Sequence, residues 1–255
     1  MLRGDFIMLK KISTLFILVA LITTTCFADD IDTEQININQ IYTEEIQASA
    51  SVVDKPKINS RYAVVIDRES KRILYGKNSN EKTAMASTTK IMTAIIALEN
   101  SKLEEEIIVS NRAANIGGSR LGLETGDKVS MNDLLYGLML CSGNDAAVQI
   151  AETIGGDYKG FAVLMNKKAK ELGLNNTHFV TPHGLDDKEH YTTAYELAIL
   201  TDYALKNKKF AEIVNTKSKT ILINGYQKQI HNTNELLGVL EGVNGVKTGF
   251  TNNAR

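Results

Sequence analysis

The sequence predicts an α/β fold of the α+β kind. An antiparallel sheet takes strands from both ends of the chain, and a helix-rich insertion lies between them. Three observations carry this. Tyr62-Ala-Val-Val-Ile66 and Arg72-Ile-Leu-Tyr75 are β-rich runs separated by the polar turn Asp67–Lys71, which reads as a hairpin. The middle of the chain shows apolar periodicity at helical spacing. Then Thr220-Ile-Leu-Ile223 and Tyr226–His231 flank Asn224-Gly225, a strong two-residue hairpin signal. Val243–Phe250 is the expected final strand.

The helices follow in order. From Thr88 to Leu98, Ile91, Ile95 and Leu98 share one face and Met92 and Ile96 widen it, so this helix is expected to be buried on most sides. Ser130-Met-Asn-Asp133 resembles a capping box and opens a helix through Leu134, Leu135, Leu138 and Met139 toward Cys141. Ala146–Ile154 is stopped by Gly155-Gly156, and Tyr158–Leu172 by Gly173. Thr193–Lys206 is the last predicted helix.

The chain has 255 residues, 43% hydrophobic and 23% charged, enough for one sizeable core. Net charge is -1 with no basic stripe, which argues against a nucleic-acid partner. The start is not expected to join the fold. Arg3, Lys10 and Lys11 precede an apolar run, Ile12–Ile22, and a small, polar stretch ends at Ala28. This is the pattern of a secretory signal peptide over 1–28 with cleavage after Ala28, and Met8 is an alternative start. Residues 29–58, acidic and without periodicity, read as a flexible segment, and residues 59–255 as the folded domain. Without the leader, Cys141 is the only cysteine, so no internal disulfide is expected, and it is read as a small buried apolar residue.

Three short motifs carry chemistry: Ser87-Thr88-Thr89-Lys90, Ser142-Gly143-Asn144 and Lys247-Thr248-Gly249. Singly they are weak. A serine followed three places later by lysine occurs about once by chance in a chain this long, and Ser79-Asn80-Glu81-Lys82 also fits. Ser130-Met131-Asn132 duplicates the second motif. Context separates them. Ser79 lies in a polar loop and Ser130 is explained as a helix cap, whereas Ser87 begins a buried helix, where positions i and i+3 share a face. A helix N-terminus adds positive potential, and desolvation lowers a lysine pKa, so Lys90 can serve as a base toward the Ser87 hydroxyl. Ser142-Gly143-Asn144 lies in a bend between helices, a place from which side chains face a cleft. The four histidines lack metal-pair spacing and are read as structural or surface residues, and Glu104-Glu105-Glu106 as a solvated face.

The three motifs resemble those of the penicillin-recognising serine enzymes. Ala86-Ser-Thr-Thr-Lys-Ile-Met-Thr93, Gly117-Gly-Ser119, Ser142-Gly-Asn-Asp-Ala-Ala147, Thr181-Pro-His-Gly-Leu185 and Gly245-Val-Lys-Thr-Gly-Phe-Thr251 are similar to the low-molecular-weight D-alanyl-D-alanine carboxypeptidases. The resemblance runs from about Ser60 to Thr251 and implies a DD-peptidase/β-lactamase-like fold. It implies that Ser87 attacks the carbonyl between two terminal D-alanines with Lys90 as general base, and that Ser142 and Lys247 relay a proton to the leaving amine. Lys247 and Thr248 would hold the terminal carboxylate. Asn144 would bind a substrate amide, and Gly249 would let the substrate lie along the strand. The backbone N–H groups of Ser87 and Phe250 would form the oxyanion hole. No metal or other cofactor is implied.

The implied partners are peptidoglycan stem peptides ending in D-Ala-D-Ala and β-lactam antibiotics, with peripheral membrane association as a family trait, although the family's C-terminal amphipathic anchor is not found in this sequence. The family continues past Lys-Thr-Gly with more strands, a packing helix and a second domain. This sequence ends at Thr251-Asn-Asn-Ala-Arg255, so a truncated catalytic domain with an exposed sheet edge is the expectation. Two other readings stay open: a serine β-lactamase, for which Glu189 is not in the expected pattern, and a non-catalytic binder of wall peptide or β-lactam.

Overall fold

The computed structural model describes residues 56–254. The expected signal peptide and most of the segment 29–58 lie outside the described residues. Ile58–Arg255 forms one compact unit. Its first strands, β1 (Ala63–Ile66) and β2 (Ile73–Lys77), pair antiparallel with Ala63 opposite Lys77. The Asp67 carboxylate closes their turn by accepting from the Ser70 N–H at 2.7 Å.

Helix α1 (Lys90–Asn100) is the centre of the unit. Ile91, Met92, Ala94, Ile95, Ile96 and Ala97 are all buried, so it has no solvent stripe over most of its length. Each buried Ile or Met here contributes about 1.5–3 kcal/mol over leaving it exposed. Around it pack α3 (Met131–Leu140), α4 (Asn144–Gly155), α5 (Tyr158–Glu171), α6 (Ala194–Leu205) and α7 (Lys208–Val214). The helix starts are set locally. Ser130 accepts from Asp133 N, Asp157 from Gly160 N and Thr193 from Glu196 N, each capping its helix.

The second sheet has four antiparallel strands in the order β3 (Glu106–Ile108), β4 (Lys128–Ser130), β5 (Ser218–Ile223), β6 (Tyr226–His231). Between β3 and β4 sits α2 (Asn111–Ala114). Asn224 and Gly225 turn the β5–β6 hairpin with both φ angles positive, 53° and 78°, as a type I′ turn requires.

The α/β class with antiparallel sheets stands, with seven helices among the described residues. Two details differ from the sequence reading. Val243–Phe250 forms no strand, because a strand exists only where a neighbouring backbone completes its ladder, and among the described residues none does. The strands of the two chain ends also do not share a sheet among the described residues: β1 pairs with β2, while β5 joins β4 from the middle of the chain. Strands β3 and β4, three residues each, and α2 and α7 escaped the sequence reading because they are too short to show a period.

Candidate active site

Ser87 lies in a 3₁₀ turn, Ala86–Thr89, that feeds directly into α1. The turn is built from short bonds: Thr88 N to Met85 O at 3.2 Å and Thr89 Oγ1 to Ala86 O at 2.8 Å. Ala86 takes φ 47°, a conformation unfavourable for a residue with a Cβ and therefore held by its surroundings. Gly184 supplies that support. A Cβ placed on it would lie 1.9 Å from Ala86 O, so only glycine lets the 181–185 loop close over the turn. Thr93 Oγ1 donating to Pro182 O at 2.6 Å fastens the same loop to α1.

Lys90 is the first residue of α1 and is 0% exposed. Its Nζ lies 3.0 Å from Ser87 Oγ, 2.8 Å from Asn144 Oδ1 and 2.8 Å from His183 O. Burial pushes its pKa well below the ordinary lysine value, and the charge of Lys247 pushes further, while Asp145 opposes both. A neutral amine has two N–H donors and one lone pair. Asn144 Oδ1 and the His183 carbonyl accept the two protons, which leaves the lone pair for the Ser87 hydroxyl. The pair predicted from spacing i, i+3 is thus assembled, and two groups far along the chain orient it.

Asn144 opens α4. Its Nδ2 donates to Gly117 O at 2.7 Å and its backbone N–H to Ser119 O at 2.8 Å. Both ends of its amide are engaged with the protein, in addition to the substrate role that the resemblance implied. Ser142 sits just before it, 7% exposed, with φ 58°. Among the described residues, neither Ser142 Oγ nor Lys247 Nζ hydrogen-bonds to Ser87 or Lys90, so the expected relay is not preformed.

The Lys247-Thr248-Gly249 segment borders the same turn. A Cβ on Gly249 would stand 3.2 Å from Thr88 Cγ2, 3.3 Å from Thr88 N and 3.4 Å from Ser87 N, tighter than ordinary contact, so glycine lets this backbone approach the serine's N–H. Lys247 is half-buried and its Nζ donates to Thr248 O at 3.0 Å. Burial lowers its pKa to about 8, with Cys141 opposing. Thr248 Oγ1 lies 2.7 Å from Thr233 Oγ1. Phe250 is exposed. Cys141 is half-buried and burial raises its thiol pKa, which suits packing rather than reactivity.

Sequence reasoning missed Asp145. It is 0% exposed and accepts from Leu121 N (2.8 Å), Gly122 N (2.7 Å), Leu123 N (3.0 Å) and Ala146 N (2.9 Å). This buried anion fixes the loop that faces Asn144. An acid in the first turn of a helix was a legible hint. Its acceptor role toward a loop more than 20 residues upstream was not. His183 and His190, read as structural or surface residues, are both buried: His183 lends its carbonyl to Lys90, and His190 Nε2 meets Thr89 Oγ1 at 2.7 Å. Among the described residues no group of three or more His, Cys, Asp or Glu is placed to hold a metal ion. No helix among them is long and apolar enough to cross a membrane.

A serine beside a buried lysine, a Ser-x-Asn bend and a Lys-Thr-Gly segment around one helix start define the class of penicillin-recognising active-site-serine proteins. Within that class, the sequence pattern of the D-alanyl-D-alanine carboxypeptidases matches residues 49–255, and the chain belongs to that family. It is 41% identical over 202 residues to D-alanyl-D-alanine carboxypeptidase DacF of Bacillus subtilis (strain 168), covering 77% of this chain and 52% of that protein. It is 35% identical over 223 residues to the D-alanyl-D-alanine carboxypeptidase of Streptomyces sp. (strain K15), covering 78% and 75%. The chain therefore spans about half the length of the Bacillus relative. Among solved structures, the Streptomyces K15 DD-transpeptidase superposes with a TM-score of 0.75 at 34% identity, covering 79% of this chain and 84% of that one. The D-alanyl-D-alanine carboxypeptidase of Mycobacterium tuberculosis H37Rv superposes at 0.76 with 32% identity, covering 80% and 78%.

Proposed function

We propose that the chain is a serine-type D-alanyl-D-alanine carboxypeptidase with residues 59–255 as its catalytic domain. It removes the terminal D-alanine from peptidoglycan stem peptides through a Ser87 acyl-enzyme. The observation that carries the reading is Lys90, fully buried and 3.0 Å from Ser87 Oγ, with its other two hydrogen-bonding directions occupied. Ser87 Oγ attacks the carbonyl carbon between the two D-alanines while its proton passes to the Lys90 amine. The oxyanion is received by the backbone N–H groups of Ser87 and Phe250, a reading supported by the close approach of Gly249 to Ser87 N. The C–N bond then breaks. The leaving amine takes a proton through Ser142 and Lys247, and water releases the shortened peptide. Lys247 and Thr248 hold the substrate carboxylate, and Asn144 serves the substrate amide with its remaining Nδ2 proton. Such a substrate places the protein outside the cytoplasm, at the cell envelope, consistent with a signal peptide over 1–28.

The test is labelling with a fluorescent penicillin, paired with release of D-alanine from a peptide ending in D-Ala-D-Ala. The folded wild-type chain takes the label and Ser87→Ala does not. Label on folded Ser87→Ala, or none on folded wild type, overturns the reading. Label without D-alanine release supports the non-catalytic binder instead. Rapid penicillin turnover would favour a β-lactamase, which the site supports less well: Glu189 is exposed and its backbone carbonyl, not its carboxylate, serves His178.

A further inference from the structure

The Lys247-Thr248-Gly249 segment lacks a strand ladder among the described residues, so something else must hold it against the cleft. Three consecutive residues do. Asn232 N donates to Lys217 O at 2.8 Å and its Nδ2 to Thr216 O at 3.0 Å, which anchors them to the start of β5. Thr233 N donates to Leu140 O at 3.1 Å, at the end of α3 beside the Cys141-Ser142 bend. Asn234 Nδ2 donates to Gly245 O at 2.9 Å, just upstream of Lys247. Thr233 thus stands between the two walls of the cleft, with its hydroxyl 2.7 Å from that of Thr248.

We propose that Thr233 is a positioning residue for Thr248, orienting its hydroxyl proton toward an anionic carboxylate in the cleft. This rests on the reading of Thr248 as a carboxylate-binding residue. A hydroxyl carries one proton and two lone pairs. When Thr233 donates to Thr248, the Thr248 proton is free to point away from Thr233, into the cleft. The Thr233 backbone is tied to Leu140, so this partner cannot drift away. Without it, the Thr248 rotor samples its staggered positions and must be ordered by the ligand. The ligand class is any acylating compound with a free carboxylate beyond its reactive carbonyl.

The experiment measures second-order acylation constants of the full chain with benzylpenicillin and with its methyl ester, which lacks the anionic carboxylate. Thr233→Val slows benzylpenicillin by roughly threefold, the cost of ordering one rotor among three staggered positions, and leaves the ester unchanged. Thr233→Ser restores the wild-type ratio. In a Thr248→Val background, Thr233→Val adds no further loss. Equal slowing of both compounds, no slowing, failure of the serine rescue or additive losses would each overturn the proposal. If Thr233→Val does not fold, Thr233→Ala reads the same ratio. A wild-type chain acylated by neither compound would instead overturn the functional reading.

Discussion

At the scale of single residues, the proposed mechanism needs two lysines that lose their protons at different pH. Lys90 is held well below the ordinary lysine range by burial and by the charge of Lys247, and Asp145 pulls it back. Lys247 is lowered only to about 8, again by burial. In the proposed roles Lys90 as base must be neutral and Lys247 as carboxylate-binding cation must be charged, so the useful window lies above the first pKa and below the second. The acylation constant is therefore expected to rise with pH as Lys90 loses its proton and to fall near pH 8 as Lys247 does. Lys247→Arg keeps its charge throughout the range in which Lys247 loses its own. A pH profile of penicillin acylation by that variant should lose the alkaline fall while keeping the acid limb, at a rate roughly tenfold lower because a planar guanidinium replaces a point charge. A fall near pH 8 that persists in Lys247→Arg would assign that limb to another group.

At the scale of elements, the loop 181–191 closes over the serine turn through two neutral histidines. His190 Nδ1 accepts from Val180 N at 2.9 Å, so its other nitrogen carries the proton toward Thr89. Burial lowers the His190 pKa to about 4. Burial, then the charges of Lys90 and His190, lowers that of His183 to about 3. Both values are depressed below the ordinary 6.5, so the unfolded chain binds protons that the native chain refuses. The contribution of each is complete above pH 6.5 and is lost as pH falls toward the native value. The slope is about 1.4 kcal/mol per pH unit for each histidine. Urea unfolding between pH 4 and pH 6.5 should show this, and His190→Gln should remove about one proton's worth of the slope. An unchanged slope would mean that His190 is protonated in the native state. The elements themselves were largely readable. Periodicity marked α1, α3, α4, α5 and α6, and Asn224-Gly225 marked the β5–β6 turn. The strand expected at 243–250 failed for a physical reason: a β-compatible local sequence reports willingness to pair, not the presence of a partner.

At the scale of the whole unit, β1–β2 is a separate two-stranded sheet, and a hairpin alone is marginal in water. It is held by packing of β1 on α6 and by one carboxylate. Asp202 of α6 receives Arg68 Nε at 2.9 Å and Lys71 Nζ at 2.5 Å from the hairpin turn, with Lys206 at 3.5 Å. Burial raises its pKa, but the bonds from Lys71 and Arg68 outweigh this and hold it at about 2. Asp202→Asn is expected to cost about 1–2 kcal/mol at neutral pH, since Arg68 and Lys71 are partly exposed. Because the carboxyl is depressed, the difference from wild type should persist above pH 4 and close as pH falls toward 2. Hydrogen exchange would localise the effect, with β1 and β2 amides exchanging faster and β5–β6 unchanged. Uniform acceleration across both sheets would argue against a local clamp.

By itself the sequence determined whatever is local. Ser87 and Lys90 belong together because, across a 3₁₀ turn that runs into a helix start, residues three apart lie on the same side. Ser130, Thr193 and the Asn224-Gly225 turn act within a few bonds of themselves. The tertiary structure decided the partners. Lys90 is oriented by the carbonyl of His183, Asn144 by that of Gly117, Asp145 by three loop N–H groups, and Thr248 by a threonine 15 residues upstream. Most of these partners are main-chain groups, which every residue carries alike. Side-chain pattern tells which surface is buried, and only the folded chain tells which backbone atom it is buried against.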